Sequence, residues 1–173
     1  MLKTIKIIII ISFTLLFSFL IYKIALAYIH KKEVAENIKV IPKFTFYDLN
    51  DKPFSNENLA EGVSTIFIFF NTDCHFCVEE SKLIFNNIEE FNNSQLIFVS
   101  DEDGESIMQF AKENNLFGLK NMIFLKDKEL KFGLMFDVNI KPSSIIYDKD
   151  KKLVEKFKGQ TTIKKMLKKL NDN

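Results

Sequence analysis

The stretch Thr65-Ile66-Phe67-Ile68-Phe69-Phe70-Asn71-Thr72-Asp73-Cys74-His75-Phe76-Cys77 decides how this chain is read. Its first six residues form a continuous apolar run of β-branched and aromatic side chains, the composition of a central strand covered on both faces. From Cys77 the period changes. Cys77, Ser81, Ile84, Phe85, Ile88 and Phe91 fall at i, i+4, i+7, i+8, i+11 and i+14, one stripe of a helix. The two cysteines therefore stand where a buried strand hands over to a helix. Unpaired N–H groups at a helix N-terminus favour an anion, and a thiolate is one. Lowering a cysteine pKa from about 8.5 to about 7 raises its thiolate fraction at neutral pH from roughly 3% to roughly 50%. The placement predicts Cys74 as attacking nucleophile. Cys77, one turn further on and more buried, is then the thiol that displaces a mixed disulfide.

Three blander readings compete. A structural disulfide across so short a loop would contribute about 2 kcal/mol, less than the ~3 of a 15-residue loop. A zinc site needs four ligands, and besides these cysteines the chain offers only His75 and His30. Two inert buried cysteines leave their place at a strand-to-helix junction unexplained. No metal and no cofactor are expected.

On the C-terminal side, Leu96–Val99 reads as a second buried strand, and Ile107, Phe110 and Ala111 begin another helical face. Met122–Leu125 reads as a short strand and Glu129–Phe136 as helical. Ser143–Tyr147 and Leu153–Lys158 are apolar runs joined by the polar Asp148–Lys152, a hairpin connection. A last amphipathic helix turns Ile163, Met166, Leu167 and Leu170 inward, with Thr161 or Thr162 as N-cap. On the N-terminal side, Lys43–Tyr47 alternates as a half-buried strand and Asn50–Pro53 is turn chemistry. Ser55 or Asn56 caps a short helical turn. The alternation means an α/β sandwich with a mixed sheet.

Further out lies an apolar segment. Ile7 to Ile21 is interrupted only by Ser12, Thr14 and Ser18, and the run resumes beyond Tyr22 and Lys23 to Ile29. A helix from about Ile5 to Ile29 exceeds the ~20 residues that span a hydrocarbon core. Lys23 would snorkel, with Tyr22 and Tyr28 at the interface. The same segment also fits a signal peptide, with Lys3 and Lys6 as its basic start and Ala25-Leu26-Ala27 as its cleavage site. Both readings export the rest. The expected organisation is an anchor or uncleaved signal over residues 1–32, a charged link over 33–41 and one domain over 42–173. The anchor is expected to be single-pass, with the domain outside the cytoplasm.

Composition closes off other classes. The chain has 173 residues, 47% of them apolar and 27% charged, which excludes disorder. The net charge of +1 gives no reason to expect nucleic acid. Every basic residue is lysine, so no planar fork for bidentate phosphate recognition exists. The lysine-rich end from Asp148 to Lys169 alternates with an apolar helix face and reads as solvated surface rather than a lipid-binding patch.

The domain resembles the thioredoxin fold, and more closely its membrane-tethered TlpA/ResA branch of extracytoplasmic thiol–disulfide oxidoreductases. The resemblance covers roughly Pro42 to Leu170. It rests on Phe44–Leu49 followed by Lys52-Pro53-Phe54-Ser55, on Phe69–Cys77, and on Val138–Asp148 with Pro142 in its midst. It implies a thioredoxin-like sandwich, a central mixed sheet flanked by helices and preceded by one transmembrane helix. It aligns Pro142 with the family's cis-proline, whose loop lies against the cysteines and presents backbone to an extended substrate. It aligns Glu80 with an acidic position that tunes the thiols, although from spacing alone Glu80 reads as a solvated helix residue like Glu79. The usual tryptophan before the first cysteine is missing. Asp73 stands there instead, a carboxylate that opposes thiolate formation. His75-Phe76 is not the family's commonest dipeptide; a cationic His75 would favour the thiolate, while an inert surface His75 is the competing reading. Lys141 replaces the small or β-branched residue usual before the cis-proline.

The implied function is reduction of disulfides in exported clients such as apocytochromes c. Electrons would come from a transmembrane thiol donor, and the protein is expected to be monomeric. The same site would also serve an oxidant. Peroxide reduction fits less well, because thiol peroxidases carry a hydroxyl residue three positions before the attacking cysteine and Asn71 stands there. A copper-binding module of this fold uses a wider cysteine spacing and a distant histidine, which the domain lacks.

Overall fold

The computed structural model describes residues 2–172, without the side chains of Leu2, Lys3 and Ile8. The basic start read at Lys3 therefore lies outside the described side chains. The chain divides into two compact units, residues 1–37 and 38–173. The first is one helix, α1 (Leu2–Asn37), long and apolar enough to cross a membrane. Its Thr14 hydroxyl donates to the Ile11 carbonyl at 2.8 Å, so the polar interruption is satisfied by the helix itself. The helix runs past Ile29 and through the first half of the expected link. Lys31-Lys32-Glu33-Val34-Ala35-Glu36 holds no breaker and is rich in good helix formers.

The second unit is a seven-stranded sheet in the order β2-β1-β5-β4-β3-β6-β7. Its strands are β1 (Thr45–Tyr47), β2 (Pro53–Ser55), β3 (Ser64–Phe69), β4 (Ser94–Ser100), β5 (Met122–Lys126), β6 (Ser143–Tyr147) and β7 (Leu153–Lys158). The central pairs β3·β4 and β4·β5 are parallel and the rest antiparallel. Parallel neighbours need crossover helices: α2 (His75–Asn86) joins β3 to β4, and α3 (Gly104–Glu113) joins β4 to β5. Both crossovers step in one direction, so right-handedness places both helices on one face. The short α4 (Phe132–Phe136) precedes β6, and α5 (Ile163–Asn171) closes the chain.

Alternation along β3 sorts two cores. Ile66, Ile68 and Phe70 pack with Ile84 of α2, Ile107, Phe110 and Ala111 of α3, and Ile163 and Met166 of α5. Phe67 and Phe69 point the other way into an aromatic layer with Phe44, Phe132, Phe136 and Tyr147, at ring separations of 4.8–6.2 Å. This interior strand is thereby fixed from both sides, and with it the loop that carries Cys74.

Several local expectations shift. Pro53–Ser55 is a strand paired with β1, too short to announce itself by period. The stripe from Cys77 to Phe91 is not one helix. Asn87 ends α2 by donating its side-chain amide to the Leu83 carbonyl, and Ile88–Phe91 continues as a 3-10 turn. The segment from Glu129 is helical only over Phe132–Phe136. Thr162 caps α5 through the Lys165 N–H, leaving Thr161 for another task.

Candidate active site

The loop Asn71–Cys74 leaves the C-terminal end of β3, an interior strand between β4 and β6. Asn71 shapes it. Its side-chain oxygen accepts from the Asp73 N–H at 3.0 Å and its carbonyl from the Cys74 N–H at 3.3 Å. Cys74 is then the N-cap of α2, with extended backbone, and its Sγ accepts the Cys77 N–H at 3.3 Å. The same N–H also donates to the Cys74 carbonyl at 2.9 Å, so the sulfur shares a first-turn helix N–H, a position where negative charge is favoured.

The two thiols occupy different surroundings. Cys74 is half-buried, whereas Cys77 is 1% exposed. Burial pushes the Cys77 thiol pKa far up. The hydrogen bond with Cys74 and the nearby charges of Cys74 and Glu80 push the same way, and the Asn71 backbone opposes them. His75 and Phe76 face solvent. The His75 imidazole pairs with Glu79, one turn on, at 3.1 Å, and Phe76 is 55% exposed. Asp73 is exposed as well.

Glu80 corrects the reading from spacing. It is not solvated but buried, and it is fully engaged. Oε1 accepts the Ser144 hydroxyl and Oε2 the Thr161 N–H, each at 3.0 Å. Burial raises its pKa, and those two hydrogen bonds partly offset the rise. Ser144 and Thr161 were missed as site residues. The available signal was Ser143-Ser144, two hydroxyls opening an otherwise apolar strand.

The Lys141–Pro142 peptide is cis. The Lys141 carbonyl accepts from the Cys74 thiol at 3.6 Å, which brings this loop onto the nucleophile candidate. The Lys141 ammonium meets Asp101 at 2.6 Å and lies 4.5 Å from the centre of the Phe69 ring. Across the site, Glu102 accepts both the Thr72 N–H (2.7 Å) and the Thr72 hydroxyl (3.0 Å). Neither acid stood out in the sequence. The structure thus gathers Cys74, Cys77, Glu80, Lys141 and Pro142, with His75 and Phe76 at the rim.

A thioredoxin-like sheet that delivers two cysteines, one turn apart, to the start of a helix defines a thiol–disulfide oxidoreductase. The chain belongs to the Redoxin family, which it matches over residues 35–172, in agreement with the TlpA/ResA-type resemblance. Among solved structures it is similar to a secreted Mycobacterium tuberculosis disulfide oxidoreductase homologous to E. coli DsbE. The two are 16% identical, with 80% of this chain and 98% of the other covered and a TM-score of 0.62. It is also similar to a putative thioredoxin from Neisseria meningitidis (24% identical, 76% and 87% covered, TM-score 0.61). A third is the peroxidoxin BcpB from Mycobacterium tuberculosis (15% identical, 77% and 94% covered, TM-score 0.66). At these identities the likeness is one of fold. No curated protein matches the chain.

Proposed function

We propose that this chain is a membrane-tethered reductant of disulfides in exported proteins. In this reading residues 1–32 form the anchor and residues 42–173 the catalytic domain on the extracytoplasmic side. The observation that carries it is the asymmetry of the cysteine pair: one half-buried sulfur on a helix N–H, the other sealed beneath it.

The Cys74 thiolate attacks one sulfur of a client disulfide, forming a mixed disulfide and expelling the other client sulfur as thiolate. Cys77 then attacks Cys74 Sγ, forming the Cys74–Cys77 disulfide and releasing the second client thiol. Two electrons and two protons leave the protein. A transmembrane thiol donor returns them. Because burial keeps Cys77 protonated, its attack needs a base, and Glu80 is the buried carboxylate whose charge reaches it. Pro142 and the Lys141 backbone line the path of the client chain, with Phe76 as apolar rim. Asp73 and His75 flank the nucleophile, both exposed at its approach.

Dithiol exchange is favoured over peroxide reduction by the resolving thiol one turn away and by the Thr72 hydroxyl being engaged by Glu102 at 3.0 Å. Insulin reduction tests the reading: Cys74→Ser is expected to fall to background, and retained activity rejects it. A Cys77→Ser protein should accumulate clients on Cys74. Equilibration with glutathione assigns direction, a potential near about −270 mV marking a reductant and one near about −120 mV an oxidant.

A further inference from the structure

Cys74 Sγ lies between a donor and an acceptor. The Cys77 N–H favours its charged form, while the Lys141 carbonyl, accepting from the S–H, favours the neutral thiol. How firmly that carbonyl is held therefore bears on how readily the sulfur attacks. The Lys141 ammonium is held by Asp101 and lies over the Phe69 ring, 4.5 Å from its centre, with the two partners of the ion pair only 20% and 30% exposed.

Asp101 is in turn presented by a braced loop. Its neighbour Glu102 accepts Ser100 Oγ at 3.1 Å as well as both Thr72 donors. Asp103 caps α3, its Oδ1 accepting the Glu105 and Ser106 N–H groups, each at 2.9 Å. Three consecutive acids thus hold three different things: the proline loop, the cysteine loop and the start of α3.

Resting on the reading of Cys74 as the attacking sulfur, we propose that Asp101 is a positioning residue for it. Through Lys141 it presses a carbonyl against the thiol and restrains its reactivity until a client displaces that loop.

The test uses the full-length protein in detergent and reads two quantities: the rate of Cys74 alkylation by iodoacetamide at neutral pH, and the equilibrium constant with glutathione. The charge-balanced double variant Asp101→Asn/Lys141→Met removes the ion pair without altering net charge. Losing one weak S–H···O contact is expected to speed its alkylation roughly threefold. The glutathione equilibrium should move by a similar factor toward the oxidised protein, about 14 mV at 29.6 mV per tenfold. Asp101→Asn alone should show the same rise, and the rise should survive high salt, where a pure charge effect is screened. Asp101→Glu should return both quantities toward wild type. A double variant with wild-type values overturns the proposal, as does an Asp101→Asn effect that vanishes in salt. Failure of the wild-type protein to exchange with glutathione at all would instead reject Cys74 as attacker.

Discussion

At the rim of the site, His75 and Phe76 are held by contacts that water can reach. The His75–Glu79 pair is 78% and 46% exposed. One helical turn below, Cys77 and Glu80 are each 1% exposed, and every oxygen of the Glu80 carboxylate has a protein donor. The difference teaches which forces each region answers to. At the rim, charge is screened and side chains can move aside for a client. On the floor, desolvation dominates, so changes in protonation are costly and partners are fixed.

That contrast breaks first under truncation. Phe70, 1% exposed, packs against Phe110 at 4.7 Å in a tilted arrangement and meets Phe98 and Phe124 edge-on beneath the cysteine loop. Phe70→Ala is expected to cost about 3–5 kcal/mol of stability. Phe76→Ala, at the rim, should cost within about 0.5 kcal/mol and act on client turnover instead. Denaturant unfolding of both variants checks the pair. A Phe76→Ala loss as large as that of Phe70→Ala would mean the rim belongs to the core.

Glu80 sharpens the comparison next. Replacing it with Gln preserves the acceptor for Thr161 and a partner for Ser144 but removes the base. Release of a mixed disulfide from Cys74 should slow by about 10²-fold, the lower end of general-base contributions. Initial attack should be little changed. Stability should respond in the opposite sense. The pKa of Glu80 in the fold is raised above its ordinary 4.5 by burial. Its contribution is therefore fully present below pH 4.5 and is lost as pH rises through the raised folded value. Glu80→Gln should flatten that decline and leave the reduced protein relatively more stable at neutral pH. Stopped-flow release kinetics and unfolding across pH measure the two effects.

The same division explains what could be read from the residues alone. The junction at Phe70–Cys77, the β6–β7 hairpin and the face of α5 carry their period in consecutive side chains, so they were legible. Cys74 and Cys77 were legible because chemistry and position coincide in one short motif. Glu80 was not. Its partners lie 64 and 81 residues away, and nothing local distinguishes it from exposed Glu79. Asp101 was equally silent, since its importance comes from meeting Lys141, 40 residues on. β1 was read from the alternation of Lys43–Tyr47, but its partner β2 escaped for a different reason: its three residues leave no period to detect.

The smallest expected effect lies back at the rim, in Glu79. Its carboxylate takes the His75 ring on Oε1 and the Gln160 side-chain amide on Oε2 at 3.2 Å, tying the residue between the cysteines to the loop before α5. Exposed pairs of this kind contribute about 0.2–1 kcal/mol, so Glu79→Gln should change the Cys74 exchange rate by no more than about fivefold. If the imidazole acts through its charge, the change should shrink as salt is raised and should be absent in a His75→Ala background. If instead Glu79→Gln slows client release as strongly as Glu80→Gln does, adjacent glutamates share one function. The boundary between a screened rim and a desolvated floor would then have been drawn a residue too deep.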